Sequence, residues 1–250
     1  WGGGWSPNPN GRVLVVRNET VHEDPERRAV IEAVSDILAA DPAAAATAEL
    51  LEHLGHPDQR VRHRAQMELA VRGGWRPTAE RPGEVTAAAP DVSAALERIV
   101  AAPDGGIAAV HAVWGLGQIA RRDPESGWLL VNLTTHPDPE VRTQVLRTIA
   151  DLGLPAGDRL VAALADEHAP VRAAAATAIG RSGGAGIDGG PRRVAELLLE
   201  VASREADADP VMRHALATAL ARAVPVPTLA AMDADSLVRA SEAARVVLAV

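Results

Sequence analysis

The chain has 250 residues, a formal net charge of −8 and no cysteine, and all 25 of its basic residues are arginine. That balance argues against a nucleic-acid binder that tracks phosphates and against a membrane-surface protein, since both need clustered cations. The missing cysteine excludes disulfides, Cys-ligated zinc, iron–sulfur clusters and a covalently attached c-type haem.

Apolar residues make up 47% of the chain, yet they are chiefly Ala, Leu and Val, with five Trp and no Phe or Tyr. Small aliphatics with high helix propensity predict an all-α fold, because sandwiches and barrels draw on aromatic and β-branched residues. No run of about 18 apolar residues occurs, so no membrane insertion is expected. The sequence begins at Trp1 rather than Met and lacks the basic and apolar regions of a signal peptide, which reads as a processed product or a fragment. The compartment stays open.

Residues 1–22 read as a separate N-terminal segment. Trp1-Gly-Gly-Gly-Trp5 leads into the turn-rich Ser6-Pro-Asn-Pro-Asn-Gly11 and then into Arg12-Val-Leu-Val-Val-Arg17, a short β-strand candidate with no strand elsewhere in the chain to pair with. Trp1 and Trp5 are candidate partner contacts there.

From residue 23 to 250 helix signals recur. Asp24-Pro25, Asp41-Pro42, Asp123-Pro124 and Asp209-Pro210 each place a capping carboxylate before a Pro at the first helical position. Gly55, Gly73, Gly153 and Gly180 read as stops. These signals predict helices of about 10 to 17 residues, with longer Gly/Pro-rich connections at 73–90 and 182–190.

A repeat underlies this pattern. Val61-Arg62, Val141-Arg142, Val171-Arg172, Met212-Arg213 and Val238-Arg239 each open a stretch with a mostly small or apolar residue three places after the Arg and a large aliphatic at the seventh place. A sixth copy has Ala109 in place of the Arg. These positions lie on one helical face, and their spacing predicts about six helical hairpins stacked as a right-handed α-solenoid. Asp58, Asp138, Asp209 and Asp235 stand four residues before Arg62, Arg142, Arg213 and Arg239. Each Asp can cap its helix, and each Arg can reach that Asp or the corresponding one of the next repeat, so these residues with Arg172 form a candidate structural ladder.

The Asp/Pro turn, the Val-Arg pair and the small-residue helix that follows resemble the HEAT repeat, over roughly residues 41–250. Two segments, His56-Pro-Asp-Gln-Arg-Val-Arg-His-Arg-Ala-Gln-Met-Glu-Leu-Ala-Val-Arg-Gly73 and His111-Ala-Val-Trp-Gly-Leu-Gly-Gln-Ile-Ala120, resemble the HEAT region of bacterial membrane-bound dehydrogenase-like proteins. The resemblance implies a preceding β-propeller, an associated c-type cytochrome domain and a periplasmic setting. It casts residues 5–16 as the last propeller strand. No redox residue of that family has a counterpart here, so any dehydrogenase activity belongs to domains outside this sequence.

Gly180-Arg-Ser182-Gly-Gly184 fits a nucleophile-elbow pattern and Gly184-Ala-Gly-Ile-Asp-Gly189 a dinucleotide pattern, but neither follows a strand; both read as a helix C-cap running into a loop. His53, His56 and His63 lack the Cys or carboxylate partners of a metal site. Asn18-Glu-Thr20 and Asn132-Leu-Thr134 are sequons by pattern only. Trp114 and Trp128 read as core residues, and Trp75, between helices, as a third candidate partner contact. No catalytic residue, cofactor or metal is expected. The pattern predicts a non-catalytic scaffold for a protein or peptide partner, the alternative being a spacer in a periplasmic dehydrogenase assembly with a β-propeller neighbour. A HEAT-like lyase or DNA glycosylase is disfavoured by the acidic charge.

Overall fold

A computed structural model describes residues 23–75, 90–205 and 209–232. The strand candidate Arg12–Arg17, Trp1, Trp5 and the last repeat copy, with Asp235 and Arg239, lie outside the described residues. The chain divides into two compact units, one ending at Asp41 and the other beginning at Pro42.

The described helix of the first unit is α1 (Pro25–Ala39). The Asp24 carboxylate accepts from the Glu26 and Arg27 N–H groups at 3.0 and 3.3 Å, and Pro25 supplies the fixed φ of a first turn.

In the second unit, Asp41-Pro42 opens a 3-10 turn, Pro42–Ala44, rather than an α-helix, and α2 (Thr47–His53) starts beyond it. Then follow α3 (Gln59–Arg72), α4 (Pro90–Ala101), α5 (Gly106–Ala120), α6 (Pro124–Asn132), α7 (Pro139–Leu152), α8 (Asp158–Ala163), α9 (Ala169–Ser182), α10 (Gly190–Glu205), α11 (Pro210–Ala223) and α12 (Val226–Ala230). Several first helices are shorter than the caps implied, with 7, 9 and 6 residues in α2, α6 and α8. Every described element is helical, as expected of an α-solenoid.

Among the described residues the topology is five hairpins, α2–α3, α4–α5, α6–α7, α8–α9 and α10–α11, with α12 packed on α10. Each second helix packs on the second helix of the next hairpin, so α3, α5, α7, α9 and α11 form one continuous row. This is the solenoid principle: no hairpin buries its apolar face alone, and stacking makes one core from many. The repeat frame supplies that core. Val61, Val141, Val171 and Met212 before the frame position, and Leu69, Leu116, Ile149, Ile179 and Leu220 seven after it, are at most 2% exposed. Burying each such side chain stabilises by about 1.5–3 kcal/mol. Leu54, Leu96, Leu130, Leu160 and Leu198 meet them from the first-helix side of the hairpins, all fully buried.

Gly153 ends α7 with φ 65°, a left-handed cap as the sequence implied. Gly180 is different. It lies inside α9, and the left-handed cap is Gly183, also at φ 65°. The reason is spatial: a methyl group on Gly180 would stand 2.7 Å from the Ala219 Cα of α11. Glycine is needed for the close approach of two second helices, and its helix-breaking reputation misleads.

This makes an unusual expectation for Gly180→Ala. In an exposed helix the change gains about 1 kcal/mol of propensity. Here the forced separation of α9 from α11 should cost more, for a net loss of about 1–2 kcal/mol in urea unfolding. An unchanged or raised midpoint would show that the helices do not approach so closely.

Candidate functional site

The frame arginines do a shared structural task. Arg62 Nη1 donates to the carbonyls of His56 and Pro57 at 2.6 and 2.7 Å. Arg142 Nη1 donates to His136 and Pro137 at 2.8 and 2.9 Å, and Arg172 Nη1 to Asp166 and Glu167 at 2.7 and 3.0 Å. Each guanidinium therefore clasps the turn that joins its own two helices, meeting carbonyls that would otherwise lack donors.

The remaining edge of the guanidinium reaches forward. Arg142 Nε and Nη2 donate to the two Asp166 carboxylate oxygens at 2.8 and 2.9 Å, a bidentate pair with both side chains only 12–13% exposed. Burial raises the Asp166 pKa, but the two Arg142 bonds and the His168 N–H outweigh it and hold the carboxyl below its usual range. Arg62 Nε instead donates to His111 Nε2 at 3.1 Å.

Asp58, Asp138 and Asp209 serve as caps, accepting from the N–H groups of Arg60, Glu140 and Val211, each at 2.8 Å. The Asp58 carboxylate also holds the Arg60 guanidinium, whose hydrogen bonds keep its pKa well below the usual range. The ladder thus runs through Asp166, two residues earlier in its repeat than the Asp positions the sequence singled out. The signal was present but disguised. His56 Nδ1, His136 Nδ1 and Asp166 Oδ1 all accept from the N–H two residues on, at 2.9, 3.0 and 2.9 Å, so Asp and His swap places between repeats.

Between α3, α5 and α7 a polar network was not foreseen. A guanidinium can only donate, so His111 Nε2 is the acceptor and Nδ1 carries the proton that it gives to Gln66 Oε1 at 2.8 Å. Gln66 Nε2 donates to Gln118 Oε1 at 3.3 Å, and Gln118 Nε2 to Met67 Sδ at 3.2 Å. The Trp114 ring stands edge-on to His111 with centroids 5.0 Å apart, and its N–H donates to Gln144 Oε1 at 3.1 Å. Gln144 in turn donates to Glu140 at 2.7 Å.

Trp114 is 39% exposed and Trp128 49%, so neither is the core residue that its helical context implied. Trp114 lies five after the frame position of α5, at the place Met67 holds in α3. Trp75 is half-buried and packs against the core, its backbone N–H donating to the Ala70 carbonyl at 2.9 Å. Met67 and Trp114 stand five after the frame positions of α3 and α5, and Val71 and Gln118 nine after them, so the four occupy matched places on adjacent second helices as a partly apolar strip, with Val71 and Trp114 exposed.

The weaker motifs resolve locally. Ser182 Oγ donates to the Ile179 carbonyl at the end of α9, before the Gly183 cap. His53 and His56 meet edge-on at 6.1 Å. Among the described residues no three potential metal ligands cluster, and no helix is long and apolar enough to cross a membrane.

Residues 92–180, from α4 into α9, match the family model described as HEAT repeats. Three of the five hairpins fall in that span. No curated protein matches the chain in sequence. Solved structures similar to it include an engineered protein from a structural genomics consortium, at 21% identity over 80% of this chain and 87% of that one, with a TM-score of 0.40. A designed armadillo repeat protein in complex with the peptide (KR)4 is 18% identical over 81% and 89%, with a TM-score of 0.41. A Crescerin TOG domain is 15% identical over 83% and 90%, with a TM-score of 0.41. At such values these likenesses carry no argument about what this chain binds. The match supports the repeat half of the sequence resemblance; the propeller and cytochrome association rests on that resemblance alone.

His111 makes the fold acid-sensitive. Burial, then the Arg62 charge and then His63 lower its pKa to about 4, against about 6.5 in an unfolded chain. The unfolded state therefore takes up the proton first as pH falls, and stability is lost between about pH 6.5 and 4, at up to about 1.4 kcal/mol per pH unit. Asp166, with its lowered pKa, adds a further loss at lower pH. Urea melts at pH 7 and pH 5 should differ by about 1–2 kcal/mol, and His111→Gln should flatten that difference; an equal slope in both proteins would place the titration elsewhere.

Proposed function

We propose that the chain is a non-catalytic protein-binding scaffold whose docking surface is the row of second helices. One observation carries the reading. Trp114 presents an exposed indole that is fixed in orientation by Gln144 on the next repeat and by His111 below it. A rigid aromatic group at the surface offers large contact area at little entropic cost, which is what partner anchors have in common. The polar network behind it spans three second helices, so the strip is organised before any partner arrives.

Among the described residues the same face offers no constellation of nucleophile, base and oxyanion donors. Its buried histidine is held neutral and fully occupied by Arg62 and Gln66. The alternative, a spacer between redox domains, rests on the sequence resemblance alone.

Selection of binders from a random peptide display library tests the reading. Enriched peptides should lose at least about tenfold in affinity on Trp114→Ala, about 1.4 kcal/mol, and should bind Trp128→Ala unchanged. Failure to enrich any peptide, or loss on Trp128→Ala instead, would overturn it.

A further inference from the structure

Charge is segregated between the two helix rows. The five second helices α3, α5, α7, α9 and α11 carry ten arginines against three carboxylates, Glu68, Glu140 and Asp151. The five first helices that pair with them carry five arginines against nine carboxylates. The turns that open these second helices add Asp58, Asp138, Asp166, Glu167 and Asp209, so the positive excess of the row that bears Trp114 lies toward the C-terminal ends of its helices.

Many of these arginines are committed to turns and to neighbouring repeats. Three exposed ones lie toward the C-terminal half: Arg147 in α7, five after its frame position and so level with Trp114, and Arg181 and Arg222 in α9 and α11, nine after theirs and one turn further along. A depression of about 370 Å³ opens between those helices, with Asp151, Gly153, Gly180, Arg181 and Arg222 in its lining. Arg181 is oriented by its Nε bond to the Ala150 carbonyl at 2.7 Å. Its contact with Asp151, at 3.7 Å between side chains 41% and 62% exposed, is weak enough for another carboxylate to replace. An arginine in a helix's last turn also complements the helix dipole. That accounts for Arg181 or Arg222 singly, but not for the sign difference between the rows.

We propose that this face binds an extended acidic peptide, with one apolar side chain over Trp114 and Met67 and carboxylates at Arg147, Arg181 and Arg222. The proposal rests on the protein-binding reading above and names its ligand class. Adjacent helices lie about 8–10 Å apart, and an extended chain advances about 3.3 Å per residue. The matching ligand therefore has an apolar residue followed by an acidic one at about every third position, over about ten residues. The apolar strip and the interspersed Glu140 and Asp151 favour such a peptide over a nucleic-acid backbone, whose recognition would call for cations alone.

Fluorescence anisotropy of a labelled ten-residue peptide, one Leu followed by Glu at every third position, is the test. Three comparisons accompany it: the same peptide with Gln for Glu, a dT20 oligonucleotide, and the protein variants R181S/R222S and Arg193→Ser. The Glu peptide should bind at least about tenfold more tightly than the Gln peptide and weaken at least about tenfold on R181S/R222S. Arg193→Ser, on the acidic row, should have no effect. Circular dichroism melts of the variants keep loss of binding separate from loss of fold. Equal binding of Glu and Gln peptides, lost on Trp114→Ala, would overturn the acidic ligand and leave the protein-binding reading standing. Tighter binding of dT20 than of the Glu peptide, relieved by R181S/R222S, would assign the face to nucleic acid. No binding of either peptide would also overturn the proposal, while the display selection decides the broader reading independently.

Discussion

Two carbonyl groups at the bend of a helical hairpin need donors, and in three repeats the same guanidinium supplies them. Arg62, Arg142 and Arg172 each turn one nitrogen back onto the residues six and five earlier. A planar group held this way has its other edge fixed as well, and that edge is what meets the next repeat, as Asp166 for Arg142 and His111 for Arg62. Angle within a hairpin and register between hairpins are thus set by one side chain. The apolar core supplies most of the stabilisation, but Ala and Leu side chains alone would tolerate sliding of one hairpin on another. Where the helices approach closest, Gly180 against Ala219, that register leaves no slack.

The functional reading depends on the same constraint. Rows of side chains on successive second helices line up only because the repeats are held in register. Trp114, Gln118 and Met67 therefore form one strip, and Arg147, Arg181 and Arg222 stand on three adjacent helices. The partly buried chain from Arg62 through His111 to Gln66 and Gln118 is joined by a hydrogen bond at each step, the condition under which a polar interior adds rigidity instead of instability. Its neutral histidine is the exception that makes the fold acid-sensitive.

Much of the architecture was legible because two periodicities agreed: Asp and Pro marked helix starts, and the residues at one, three and seven places from the frame position fell on one face. The buried Val61, Leu69, Val141 and Ile149 follow directly. What escaped was whatever depends on the neighbouring repeat. Gly180 looks like a stop until α11 is beside it. Trp114 looks like core until the next second helix is in place, where its ring stays 39% exposed and its indole N–H meets Gln144. Asp166 was hidden because an Asp and a His exchange roles between repeats while keeping the same backbone bond. Net charge misled in another way, since the second helices carry an excess of arginine while most of the acidic residues lie in the caps, turns and segments outside the paired helices.

The forward contact that the clasped arginine makes with the next repeat is the claim on which the rest stands, and a double-mutant cycle on Arg142→Ala and Asp166→Ala measures it most directly. Side chains this buried, joined by two charge-assisted hydrogen bonds, should couple by about 1.5–3 kcal/mol in urea unfolding at pH 7. A coupling below about 0.5 kcal/mol, the value of an exposed ion pair, would mean that the repeats are held in register by packing alone, contradicting the account.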